Sequence, residues 1–214
     1  MKHAGLEPLL YRLRCMHKAL AALQPRDASS VPRDIKETDC IASIHIDYSS
    51  GKDDMAILSD YEQLFNNINH LRDAVKNWAQ SHGKDKIKVE ELVTHNRELG
   101  ICVDISNGLK HVELNNKGRT GLKPSIGSVS SGLKLPVGQT PVPIPGLSIR
   151  IDEHGKPRVS DGISQSHGIL VIEAEIIDKE GNRIGNALEI AKKAIEIWER
   201  FLSDWGIKLP TEKQ

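Results

Sequence analysis

The sequence lacks a net charge and a cysteine pattern. Its 214 residues carry 29 basic and 29 acidic side chains, so bulk charge argues neither for nor against a nucleic-acid-binding protein, and any electrostatic argument must be local. The three cysteines, Cys15, Cys40 and Cys102, lie far apart and form no CxxC pair. This spacing excludes a zinc ribbon and is typical of a protein from a reducing compartment.

Long hydrophobic runs are also lacking. The longest candidate, residues 169–177, is interrupted by Glu173 and Glu175, and it does not approach the roughly 20 apolar residues that span a bilayer. The first ten residues lack the apolar core and the cleavage site of a signal peptide. We therefore expect a soluble cytoplasmic protein with no membrane partner.

Most signatures of catalysis are lacking as well. The chain contains no P-loop, GxGxxG, GxSxG elbow, HExxH or EF-hand loop. His45 and Asp47 would share one face of a strand, but such a pair is more typical of a surface than of a metal site. We expect no metal and no cofactor. Arg12 and His17 match an R-x4-H spacing on the first helix, where His17 lies near the apolar face and is expected to be a core histidine.

Apolar residues recur at helical spacing in much of the chain. Steps of three and four predict helices at residues 5–23, from 54–59 to 82–83, at 88–96, at 101–114 and from 186 onward. The second helix has the clearest seam, which is typical of helical bundles. Its members are Ile57, Tyr61, Leu64, Ile68, Leu71, Val75 and Trp78. Asn186, with Glu189 three residues later, predicts the N-cap of the last helix.

Composition changes after residue 114. Residues 115–146 contain six Gly and five Pro, which predicts an extended excursion without helix. Strands are predicted at 41–48, 147–151 and 169–178, with turns at 152–156 and 180–182 and a loop at 24–39. The expected fold class is α+β: one domain, residues 1–214, of about four main helices in a bundle. Residues 115–183 would form a loop and β-hairpin insertion before the C-terminal helix.

The stretch at 101–114, ICVDISNGLKHVEL, is the centre of the chain's predicted chemistry. On a helix, an apolar face forms from Ile101, Ile105, Leu109 and Val112. A polar stripe beside it consists of Asp104, Asn107, Gly108 and His111. Gly108 costs a helix about 1 kcal/mol relative to Ala, which the close approach of another helix or room for a ligand would offset. The stripe is thus either a structural hydrogen-bonded cluster or a binding cleft.

The pattern D-I-x-N-G-x-K-H in this helix carries a family resemblance. Together with the β excursion and a last helix ending W-E-R-F-L, it resembles a large group of uncharacterised bacterial proteins, which in turn resemble the HEPN superfamily of helical domains. The order of elements agrees over most of the chain, and the specific motif is residues 104–111. The resemblance implies a homodimer and a setting in toxin–antitoxin or antiphage defence systems.

The same resemblance implies roles for individual residues. Active HEPN ribonucleases have an Arg, often followed by a polar residue, four to six positions before a His. By this pattern the catalytic candidates are His111 and Asn107, and the Arg position holds Ser106. Serine supplies neither the charge nor the fork of a guanidinium, so catalysis stays open. Four ligand-binding residues are expected around them, two from the helix and two from the basic excursion: Asp104, Lys110, Lys117 and Arg119.

Three functions are compatible with these residues. The first is a HEPN-like nucleotide- or RNA-binding protein of a prokaryotic defence or stress system, degenerate and non-catalytic. The second is an active, metal-independent endoribonuclease. The third is a structural or regulatory subunit whose β insertion docks a partner. The expected partners are RNA or a nucleotide, an antitoxin or another operon partner protein, and a second copy of the chain.

Overall fold

The computed structural model describes residues 6–27, 33–37, 42–46, 52–110, 118–134, 148–151, 157–160 and 169–209. In these ranges the helices are α1 (Leu6–Leu23), α2 (Asp54–Ser81), α3 (Ile87–His95), α4 (Arg97–Lys110) and α5 (Ala187–Asp204). The strands are β1 (Arg26–Asp27), β2 (Arg33–Glu37), β3 (Ala42–Ile46), β4 (Ser125–Lys134), β5 (Ser148–Ile151), β6 (Pro157–Ser160), β7 (Ile169–Ile177) and β8 (Arg183–Asn186). The predicted α+β class is confirmed. None of the described helices is long and apolar enough to cross a membrane.

The chain divides into two compact units. The first unit, which contains the helices, comprises Met1–Leu23, Met55–Val129 and Glu173–Gln214. The second comprises Gln24–Asp54 and Ser130–Ile172 and contains the hairpins β2–β3 and β5–β6. Strands thus come from the segment between α1 and α2 as well as from the predicted insertion at 115–183. That the whole chain is one domain remains a prediction.

The core of the first unit is built on α2. All seven residues of its predicted seam are buried, with Trp78 the most exposed at 7%. α1 adds Leu9, Leu13 and Met16, and α5 adds Ile195 and Trp198 among its buried residues. Burying a side chain of this size stabilises the fold by about 1.5–3 kcal/mol. The bundle is therefore held together mainly by apolar faces that the sequence periodicity already indicates.

The largest sheet is centred on β7, which pairs with β1, β4 and β8. β7 runs antiparallel to β1 and to β8. Two short strands, β1 and β2, fall in residues 24–39, so the loop predicted there is wrong in part. The sequence also misses β6 and β8, and it predicts only an extended excursion where the ten-residue strand β4 lies. The other missed strands are two to five residues long and have no apolar alternation of their own, so pairing with a partner strand determines them.

The predicted bounds of α4 and the predicted start of α5 can be compared with the structure. α4 begins at Arg97, four residues before the predicted start, and its last described residue is Lys110. Val112 and the rest of the predicted helix to residue 114 lie outside the described residues. At the start of α5, Asn186 accepts a hydrogen bond from the Glu189 backbone N–H at 3.1 Å, which confirms the predicted cap.

Candidate functional site

Asp104 lies on α4 and is buried, with 5% of its surface exposed. Its Oδ1 accepts the Arg119 backbone N–H at 2.7 Å. Its Oδ2 accepts the Thr120 backbone N–H at 2.8 Å and the Thr120 hydroxyl at 2.7 Å. A Cβ added at Gly118 would lie 2.7 Å from the carboxylate carbon, so only glycine allows this close approach. The carboxylate predicted to bind a ligand thus anchors the segment at 118–120.

Arg119, also expected to bind a ligand, is held by α3. Its guanidinium donates to the Glu90 carboxylate and, at 3.2 Å, to the Thr94 hydroxyl. Lys76 of α2 donates to the other Glu90 oxygen at 2.7 Å. Burial alone would raise the pKa of Glu90, but the hydrogen bonds from Lys76 and Arg119 outweigh it and lower that pKa. Glu90 therefore joins α2, α3 and the 118–120 segment through charge.

Ser106, at the position where the family pattern has Arg, is fully buried. Its hydroxyl donates to Asn66 Oδ1 at 2.7 Å and accepts from Asn69 Nδ2 at 3.0 Å. Asn69 Oδ1 is itself buried and has no hydrogen-bond partner within the described part of the chain. The serine thus serves as a polar contact between α2 and α4.

One helical turn further along, Lys110 Nζ lies 3.3 Å from His70 Nε2. In this pair and in the Ser106–Asn66 pair, the two residues lie 40 positions apart in the sequence. A constant offset means that α2 and α4 run in the same direction where they meet. A step of four residues on each helix leads from the buried pair to the exposed one. The buried contact therefore sets the register that brings the lysine to the histidine.

His70 also faces a groove of about 520 Å³ between α1 and α2, a size typical of small-ligand sites. Charged side chains line the groove near His70, and neutral polar side chains line it towards the end of α2. The lining residues are Pro8, Arg12, His70, Asp73, Ala74, Asn77 and Ser81. Lys110 of α4 contacts His70, and Arg12 of α1 lines the groove with it, so the positive charges of two further helices both act on His70 at this end of the groove.

The protonation of His70 responds to this setting. Burial is the main cause that lowers its pKa from the ordinary value of 6.5, and the positive charges of Lys110 and Arg12 lower it further. Asp73 acts in the opposite direction. A neutral imidazole can accept a hydrogen bond from the lysine ammonium through Nε2. The end of the groove therefore combines Arg12 and Lys110 with a histidine whose neutral form is favoured.

The R-x4-H pair on α1 does not form a single site. Arg12 lines the groove, whereas His17 Nε2 lies 3.2 Å from the Glu199 carboxylate on α5. Five residues along a helix correspond to a rotation of about 140° between the two side chains. The predicted core position of His17 is therefore wrong: its side chain is partly exposed and contacts an acid.

The remaining predicted residues are less engaged. Asn107 is half-buried, and its side chain has no hydrogen-bond partner among the residues that the structure describes. Gly108 has open space where a Cβ would be, and no neighbouring helix approaches it in the described part. Leu109, predicted to be on the apolar face, is 42% exposed. His111 and Lys117 lie outside the described residues.

Sequence reasoning missed the α2 side of this region. The residues concerned form the run N-N-I-N-H at 66–70, inside the seam of the longest helix. Asn69 is 2% exposed, and a buried amide is costly without a partner. Several amides and a histidine in one turn of a core helix were the available signal. That signal predicts a polar contact but does not identify the partner helix.

Comparisons of this chain with protein-family models, with curated proteins and with solved structures found no match.

Proposed function

We propose that this protein is a HEPN-like, non-catalytic RNA-binding protein that holds a phosphate of the strand at the Arg12–His70–Lys110 end of the groove. The observation that carries the proposal is the convergence of these three groups from three helices. Arg presents a fork that matches phosphate oxygens, and Lys adds a point charge. The defence or stress setting implied by the family resemblance belongs to the same proposal.

An aromatic neighbour supports a nucleic acid over a bare anion. Tyr11 is 56% exposed, and the Arg12 guanidinium lies 5.9 Å from the centre of its ring. Sites for single-stranded nucleic acid combine positive charge with exposed aromatic rings, on which bases stack. Tyr11 is therefore the candidate stacking surface next to the phosphate position.

Binding without catalysis is favoured by the state of the predicted motif. Ser106 is buried and its hydroxyl is used by Asn66 and Asn69, so it cannot contact a phosphate. Asp104 is used by the 118–120 segment. Of the motif residues that the structure describes, Asn107 and Lys110 are left for a ligand, and the arginine of the active family pattern is absent from the motif.

The test is the affinity for a fluorescein-labelled ten-nucleotide uridine RNA, measured by anisotropy over a range of salt concentrations. The double variant Arg12→Gln, Lys110→Gln should bind at least about tenfold more weakly. The slope of log affinity against log salt should fall by about 0.7 for each lost phosphate contact. A matched double variant on the exposed side of α5, Lys193→Gln with Arg200→Gln, removes the same charge elsewhere.

The proposal requires the two double variants to differ. Equal affinities for wild type and the Arg12, Lys110 variant would overturn it. An equal loss in the α5 variant would overturn it too, because binding would then follow net charge and not the groove. Thermal melting of each variant checks that all three proteins are folded.

A further inference from the structure

Asp73 is an acid in the groove that Arg12 and His70 also line. It lies on α2 three residues after His70, so the two side chains are neighbours on the helix surface, and both line the groove. A carboxylate here repels the phosphates of any bound strand. An acid that opposes binding needs a role that offsets this repulsion.

The contacts of Asp73 show which of its oxygens is available. Arg72 Nε and Nη2 both donate to Oδ1 at 3.3 Å. Oδ2 accepts no hydrogen bond within the described ranges. The side chain of Asp73 is 57% exposed and that of Arg72 is 16% exposed. A pair whose carboxylate side chain is more than half exposed stabilises a fold little, so holding Arg72 is a weak reason for the acid.

We infer that Asp73 reads the ribose of the bound strand, accepting a 2′-hydroxyl on Oδ2 when the adjoining phosphate lies at Arg12 and His70. This inference rests on the proposed function and specifies its ligand as a ribose-containing strand. The 2′-hydroxyl is the donor that distinguishes RNA from DNA at a given position. DNA in the same groove would keep the repulsion and gain no hydrogen bond in return.

The separation of the two groups suits this assignment. Residues three apart on a helix have Cβ atoms about 5–6 Å apart. A phosphate and the 2′-hydroxyl of the attached nucleotide are separated by a comparable distance. Beyond Asp73, the groove continues along α2 with Asn77 and Ser81, whose amide and hydroxyl can hydrogen-bond either a sugar or a base.

The experiment compares three ten-nucleotide strands that differ only at the 2′ position: uridine RNA, 2′-deoxyuridine DNA and 2′-O-methyluridine RNA. Wild type should bind the first about three- to tenfold more tightly than the other two, because the latter cannot donate to a carboxylate. Asp73→Ala should lose this preference, and its affinity for the DNA strand should rise because the repulsion is removed. Glu196→Ala, which removes an exposed acid on α5, should keep the preference.

Each alternative result has one meaning. Equal binding of all three strands by wild type, with binding still dependent on Arg12, would overturn the ribose contact and leave the proposed function intact. Equal changes in RNA and DNA affinity in Asp73→Ala would also overturn it, because the acid would then act only through its own negative charge. If wild type binds none of the strands, the proposed function fails and the ribose assignment fails with it.

Discussion

The Asp104 anchor gives the sharpest prediction for stability. Replacing Asp104 with Ala removes an acceptor from three donors that lie at 2.7, 2.8 and 2.7 Å. A hydrogen bond to a charged group contributes about 1.5–3 kcal/mol net. Arg119 and Thr120 are not buried, so water can reach part of the released segment and the losses will not add in full. We expect the free energy of unfolding to fall by about 3 kcal/mol.

The assay is equilibrium unfolding in urea, with the slope against denaturant compared between variants. The matched control is Asn107→Ala on the same helix, because Asn107 has no hydrogen-bond partner among the described residues. Its free energy of unfolding should change by less than about 0.5 kcal/mol. If the two variants lose the same amount, or if Asp104→Ala loses less than about 0.5 kcal/mol, the anchor is not a determinant of stability.

Two further predictions concern packing and charge, and a third concerns assembly. Ile68→Ala should lower the free energy of unfolding by about 2–5 kcal/mol, because Ile68 is only 1% exposed; a smaller loss in calorimetry would contradict the α2 core. His70 should titrate below 6.5 by NMR and move upward in Lys110→Gln, because burial, Lys110 and Arg12 lower its pKa. Its contribution to stability is therefore complete above the ordinary pKa and is lost as the pH falls towards the lower folded value; an unmoved titration would refute the contact. A homodimer remains expected from the family resemblance, and light scattering that gives a monomer at tens of micromolar would exclude it.

The predicted helices show what can be obtained from local sequence. The seam of α2 and the cap of α5 are both confirmed. Each is a local pattern, because a buried helix face and an N-cap constrain residues only three or four positions apart. The short strands β1, β2, β6 and β8 show no such pattern in their own sequence. Each is determined by pairing with another strand, and for β1 that strand is far along the chain, as in the pairing of Arg26 with Leu170.

The candidate site depends on contacts between residues that lie far apart in the sequence. Asp104 and Lys110 are polar positions on one helix, and the sequence identifies both, but not their partners. Asp104 binds Arg119 and Thr120, which lie 15 and 16 residues later, and Lys110 contacts His70, which lies 40 residues earlier. A single sequence does not show which distant residues contact each other. Arg119 is an example: its charge suggests a ligand-binding role, whereas in the structure its guanidinium contacts Glu90.

The pairing of β4 with β7 has a consequence for how this chain can change in length. β4 ends at Lys134 and β7 begins at Ile169, so the 34 residues from 135 to 168 connect two strands that are neighbours in one sheet. This connection contains the hairpin of β5 and β6. The entropy of closing a flexible connection rises only with the logarithm of its length, and each doubling costs about 0.6 kcal/mol. A reporter domain inserted between these strands would therefore cost little in closure entropy.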